Sequence, residues 1–154
     1  MNTNLCRCSA LLFLLLTTIA GHAESACTDA LQKELINNSY FVFNDWQDVY
    51  KAYQKYAVCD SGSYAEDFSD KIVKLLMNHW DKFDGLYSLS VAHKDFEKFV
   101  LSHIDETMSL DDLNSILDAA KNKCPQYGHN LCDAIIQRGN ELEVEVKREN
   151  QANK

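Results

Sequence analysis

Apolar positions in this chain recur at three- and four-residue steps, the spacing of one helical face. The clearest run is Phe68, Ile72, Val73, Leu75, Leu76, His79, Trp80 and Phe83. Ser63-Tyr-Ala-Glu66 ahead of it has the form of a capping box, and Asp84-Gly85 is its expected stop. Thr28 can cap an earlier helix running to about Asn37, with Leu31, Leu35 and Ile36 on one face. Asn44 can cap a second, running to about Val58, whose aromatic positions are Trp46, Tyr50, Tyr53 and Tyr56. Tyr40-Phe-Val-Phe43 between them is a short apolar link with no obvious strand to pair with.

Residues 86–92 form a shorter helix, and Phe96, Phe99, Val100, His103 and Ile104 mark another. Ser109-Leu-Asp-Asp112 is a second box, followed by the buried side Leu113, Ile116, Leu117 and Ala120. Cys124-Pro125 stops that helix, because the residue before a proline is pushed out of the helical region. Leu131, Ala134, Ile135 and Leu142 carry the last helix, and residues 143–154 form a polar tail expected to fray. The pattern is all-α: a compact bundle of about six or seven helices with short connections. With one proline, five glycines and no Gly/Ser/Pro-rich linker, residues 24–142 read as one domain.

The N-terminus departs from this pattern. Arg7 is the only charge in the first 23 residues, an apolar run from Ala10 to Leu16 follows, and Gly21-His-Ala23 is a small-x-small ending. These are the parts of a cleaved secretory signal, and the apolar stretch is too short to span a bilayer. Glu24-Ser-Ala26 before Cys27 places a charge where a lipid-modification site wants an apolar residue. The expectation is an exported protein with no membrane association after cleavage of residues 1–23.

Export changes how charge and cysteines are read. Residues 24–154 carry 14 Lys and Arg against 23 Asp and Glu, a formal charge of −9. That sign disfavours nucleic acid and anionic lipid, and favours a basic protein partner. Cys6 and Cys8 leave with the signal, so Cys27, Cys59, Cys124 and Cys132 remain. An even count in an exported chain reads as two disulfides. Three pairings are open; the favoured one is Cys27–Cys59 with Cys124–Cys132, whose nine-residue loop the chain-entropy model values at roughly 2.5 kcal/mol. The rival use is metal, since Cys124, His129 and Cys132 form C-x4-H-x2-C, although zinc needs a fourth ligand.

Candidate chemistry is sparse. The chain has no P-loop, G-x-S-x-G, H-E-x-x-H or G-x-G-x-x-G. Oxidised cysteines leave no thiolate nucleophile. His79 and His103 lie on apolar faces, where a general base or a packed histidine both fit, the second being preferred. Asp105-Glu106 and Asp111-Asp112 are adjacent pairs, and neighbours on a helix do not converge on one atom. Trp46, Tyr50, Tyr53 and Tyr56 fit a recognition surface or, preferably, a core stripe. Asn37-Asn-Ser39 fits a glycosylation sequon, meaningful only in a eukaryotic source. The reading is a protein that works by binding another protein, with no catalytic residues and no cofactor.

Three stretches add a resemblance. Residues 57–76 read Ala-Val-Cys-Asp-Ser-Gly-Ser-Tyr-Ala-Glu-Asp-Phe-Ser-Asp-Lys-Ile-Val-Lys-Leu-Leu, and residues 96–107 read Phe-Glu-Lys-Phe-Val-Leu-Ser-His-Ile-Asp-Glu-Thr. Residues 110–135 run from Leu-Asp-Asp-Leu through Ala-Lys-Asn-Lys-Cys-Pro to Asn-Leu-Cys-Asp-Ala-Ile. Together they resemble the small periplasmic immunity proteins that neutralise peptidoglycan amidases delivered by type VI secretion. The resemblance covers about Cys59 to Ile135, and its most specific element is the Cys-Pro turn followed by Leu-Cys. It implies an all-α fold, often a homodimer, that blocks a cognate secreted amidase with a protruding loop. Two connections could serve: Pro125, Gln126, Tyr127, Gly128, His129 and Asn130, or residues 105–109. The first is favoured, because a loop stiffened by a Cys124–Cys132 bond loses less entropy on docking. The rival classes are a general envelope binding or structural protein, lysozyme-inhibitor-like or chaperone-like, and an enzyme in which a histidine meets a carboxylate in a pocket.

Overall fold

The computed structural model describes residues 26–37 and 43–152. Residues 1–23, the Tyr40-Phe-Val42 part of the link and the sequon's Asn38 and Ser39 lie outside the described residues. Among the described residues seven helices occur in order: α1 Asp29–Asn37, α2 Trp46–Tyr56, α3 Ser63–Asn78, α4 Phe83–Ala92, α5 Lys94–Ser102, α6 Leu110–Asn122 and α7 His129–Ala152. Three-residue 3-10 turns lie at Ala57–Cys59, Trp80–Lys82 and Gln126–Gly128, and no strand occurs among the described residues. The fold is the expected all-α bundle, with both disulfides, Cys27–Cys59 and Cys124–Cys132, in the favoured pairing.

Several helix ends differ from the sequence expectation. The cap of α2 is Asp45 rather than Asn44: Asp45 Oδ1 accepts from the N–H of Gln47 and Asp48 at 2.9 and 3.0 Å. Asp48 reaches back to the Asn44 N–H at 3.1 Å, so the carboxylates on both sides satisfy the free donors. Ser63 is not a cap but the first residue of α3, preceded by Gly62 at φ +55°. That left-handed conformation suits glycine and turns the chain directly into the helix, where the Glu66 N–H bonds the Gly62 carbonyl at 3.2 Å.

The apolar run ending at Phe83 belongs to two helices, not one. His79, at φ −128° and ψ 44°, breaks α3, and the 3-10 turn leads into α4. Tertiary contacts hold the corner. The Trp80 indole N–H donates to the Lys123 carbonyl at 3.0 Å, and the ring stacks on Phe83 with centroids 5.0 Å apart. Gly85 consequently lies inside α4, close against Trp46, instead of ending a helix.

Fully buried Phe68, Ile72 and Leu76 of α3 meet Leu86, Phe96, Ile104, Leu113, Ile116 and Ile135 in one core. Each such side chain contributes about 1.5–3 kcal/mol relative to exposure. The aromatic series of α2 belongs here. Trp46 and Tyr56 are buried, while Tyr50 and Tyr53 pack on Phe96 with centroids 5.1 and 5.4 Å away. The last helix continues to Ala152, past the expected end at 142. Leu142 is buried, Val146 packs against the core, and Lys147–Glu143 and Gln137–Glu141 bond at i,i+4 spacing. No described helix is long and apolar enough to cross a membrane.

Candidate functional site

The Cys124–Cys132 bond joins the end of α6 to the first turn of α7, with Cα atoms 6.2 Å apart. Both sulfurs are thereby committed to each other, which replaces the metal-ligand reading of Cys124, His129 and Cys132. The connection is tighter than a six-residue loop. Pro125 is extended, Gln126–Gly128 forms a 3-10 turn closed by Gly128 N–H to Pro125 C=O at 2.9 Å, and His129 and Asn130 already belong to α7. Gln126, His129 and Asn130 are exposed, Pro125 is half-buried and Gly128 is buried.

Gly128 is required by close approach. A Cβ there would stand 2.5 Å from Phe83 Cε1 and 3.1 Å from its Cζ, and that ring is buried. The turn therefore rests directly on the α3–α4 corner. Tyr127, 51 % exposed, sets its ring edge-on to Tyr87 at 5.0 Å, and its hydroxyl donates to Asp84 Oδ1.

Turn and corner enclose a cleft of about 460 Å³, whose walls include Trp80, Asp81, Asp84, Lys123, Pro125 and Tyr127. Neither Asp81 nor Asp84 forms an ion pair among the described residues. The nearest basic neighbour in sequence, Lys82, is turned away and donates to the Asn44 carbonyl at 2.5 Å. This cleft was not legible in the sequence, because its halves lie about forty residues apart and meet only once α3 breaks at His79.

The second candidate connection, residues 105–109, is tied inward. Asp105 Oδ1 accepts from Thr107 N–H at 2.9 Å and Thr107 Oγ1 at 2.5 Å, and its Oδ2 accepts from Ser69 Oγ at 2.6 Å. Asp111 and Asp112 occupy the first turn of α6, where the Ser109 hydroxyl accepts from the Asp112 N–H at 3.1 Å, as expected of the box. Neither acidic pair converges on a common point.

The two histidines separate. His79 is exposed at the helix break, while His103 is only 3 % exposed. His103 Nδ1 lies 2.9 Å from Ser69 Oγ, and its Nε2 faces Asp60 Oδ2 at 3.4 Å. Ser69 has one proton, and it goes to Asp105, so Nδ1 carries the hydrogen and donates to Ser69. The set contains a serine, a histidine and carboxylates, yet it is not arranged for acyl transfer. Ser69 is 1 % exposed inside α3, its hydroxyl is committed to Asp105, and the surrounding helical N–H groups bond within the helix. The arrangement cross-ties the 3-10 turn before Asp60, helix α3 and the α5–α6 connection. His103 and Asp105 stand out in the sequence singly; the sign that was missed is a serine on an apolar face, between Phe68 and Ile72.

No protein-family model matches the chain, and no solved structure matches it.

Proposed function

We propose that this protein is a periplasmic immunity protein that binds a cognate secreted peptidoglycan amidase, delivered by type VI secretion, and occludes its active-site cleft. The observation that carries the reading is the short turn of residues 125–128. It is closed by a disulfide, wedged on Phe83 through Gly128, and offers Tyr127 to solvent beside two carboxylates free of ion pairs. A surface held this firmly loses little entropy on docking, which is where an inhibitor gains affinity. Two disulfides suit an oxidising compartment, and a mature charge of −9 steers the chain toward a basic enzyme. The chemistry needs no cofactor, since occlusion is stoichiometric.

The rival envelope-binding reading calls for a broad apolar groove. A groove of about 610 Å³ along α7 has Ile136 and Val144 among mainly polar neighbours such as Asp133, Gln137, Glu141 and Arg148. That lining favours the first reading. The test uses oxidised residues 24–154 and the amidase encoded beside the gene. Calorimetry is expected to give a nanomolar Kd, about −12 kcal/mol, with loss of peptidoglycan hydrolysis at stoichiometric addition. Absence of association at micromolar concentration would overturn the proposal.

A further inference from the structure

We infer that the cleft between Trp80 and Tyr127 is a receptor for an arginine side chain of a protein partner; that the partner is the amidase rests on the function proposed above.

Three features favour a guanidinium over an apolar or anionic group. The first is charge without a counter-ion. Lysines elsewhere on the surface pair with nearby carboxylates, as Lys74 does with Asp70, Lys98 with Asp95 and Lys147 with Glu143. Among the described residues Asp81 and Asp84 have no such partner, and Lys82, the adjacent lysine, is held on a backbone carbonyl instead. The second is aromatic lining. Trp80 and Tyr127 both border the cleft, and a planar, weakly hydrated guanidinium stacks on such rings while its fork of donors meets carboxylates. The third is fixity. The Trp80 indole is held by Lys123 C=O and Phe83, and Tyr127 by Asp84 and Tyr87. The recess of about 460 Å³ is wide enough to admit one long side chain.

Lys123 also borders the cleft and is a like charge to the proposed guest. It opposes the guest, which gives the proposal a signature of opposite sign. Loss of the carboxylates weakens binding, and loss of the lysine strengthens it. A surface that merely packed against a partner would show no such inversion.

The chain has two tryptophans, Trp80 at the cleft and Trp46 buried in the core, so the second serves as an internal control. The experiment follows both indole N–H resonances of oxidised residues 24–154 during titration with N-acetyl-arginine methylamide, and separately with its uncharged citrulline isostere. The expected result is a saturable shift of the Trp80 resonance in the millimolar range with arginine alone, and a still Trp46. Asp81→Asn combined with Asp84→Asn is expected to weaken this at least fivefold, and Lys123→Gln to tighten it about twofold. Equal response to the two ligands, or an unmoved Trp80, overturns the inference.

The same variants are then measured against the amidase. A tenfold or greater rise in Kd for the double variant, with near-normal melting temperature, places an amidase arginine in the cleft. A wild-type Kd that the double variant leaves unchanged overturns the inference but leaves the inhibitor reading standing. A wild-type chain that binds arginine and not the amidase overturns the inhibitor reading while the cleft's guest stands.

Discussion

The regions beside Cys59 and beside Cys124 are built from the same parts in opposite surroundings. Each combines a disulfide, a hydroxyl that donates to a carboxylate, and an aromatic neighbour. Beside Cys59 the hydroxyl is Ser69, its acceptor is Asp105, and His103 lies against Phe99 and Phe68 at centroid distances of 4.5 and 5.7 Å. Beside Cys124 the hydroxyl is Tyr127, its acceptor is Asp84, and the neighbouring ring is Tyr87. In the first cluster Ser69 and His103 are buried and Asp60 and Asp105 half-buried, so the imidazole and the serine hydroxyl serve the fold. The second stands at the surface, so its groups remain available to a partner. Similar residue chemistry thus takes different roles according to burial, since an unpaired polar group is costly only where water cannot reach it.

Loss of the first disulfide disturbs the buried region most. Cys27–Cys59 closes a span of 32 residues and fastens α1, which is otherwise held by buried Leu35 and the Lys55–Glu34 ion pair. The Cys27→Ala/Cys59→Ala double variant is expected to lose about 3.7 kcal/mol in urea unfolding. An isolated nine-residue helix is not stable in water, so hydrogen exchange in α1 should rise first. Next comes His103→Ala. It leaves Ser69 and Asp60 without their imidazole and opens a cavity beside Phe99, a loss of about 3 kcal/mol. Partner affinity should be unchanged in this variant; a tenfold change in Kd would show that the buried cluster also serves binding.

Cys124→Ala/Cys132→Ala separates the regions from the other side. The shorter loop, spanning 8 residues in sequence, predicts about 2.5 kcal/mol in stability together with a measurable weakening of binding. The smallest effect concerns a surface pair distant in kind from both. The Lys74 hydrogen bond, then that of Lys71, holds the Asp70 carboxyl below its ordinary range. A carboxyl with a lowered folded pKa adds stability above its unfolded value and loses it as the pH falls through the folded one. Lys74→Met should therefore cost a few tenths of a kcal/mol, about 0.3–0.5, at neutral pH. That difference should shrink as the pH falls through and below the ordinary carboxyl range, in unfolding curves compared across pH.

Much of this architecture is written locally and could be read locally. The Ser109 cap, the Cys124-Pro125 stop and the apolar face of α6 depend on residues within a turn or two of one another. The helix break at His79 does not. Ile72, Leu76, Trp80 and Phe83 satisfy helical spacing, and only the Trp80 bond to Lys123, 43 residues away, redirects the chain. The same holds for the cap of α2, where Asn44 and Asp45 are both competent and the Asp48 carboxylate decides between them. Likewise, the residues 125–130 were identifiable as a constrained turn, but their neighbours Trp80, Asp81 and Asp84 were not, because periodicity says nothing about which distant corner a turn will meet.

The contact between Gly128 and Phe83 also bears on how this surface can diversify. Any side chain at 128 collides with a ring that has no room to retreat, so that position is closed to variation. Gln126 beside it and Asp81 across the recess are exposed, whereas Tyr127, half exposed, still packs on Tyr87 and bonds Asp84. If the proposed function holds, a lineage facing a changed toxin could exchange residues 126 and 81 one at a time, retuning which enzyme it recognises while the scaffold beneath is inherited intact.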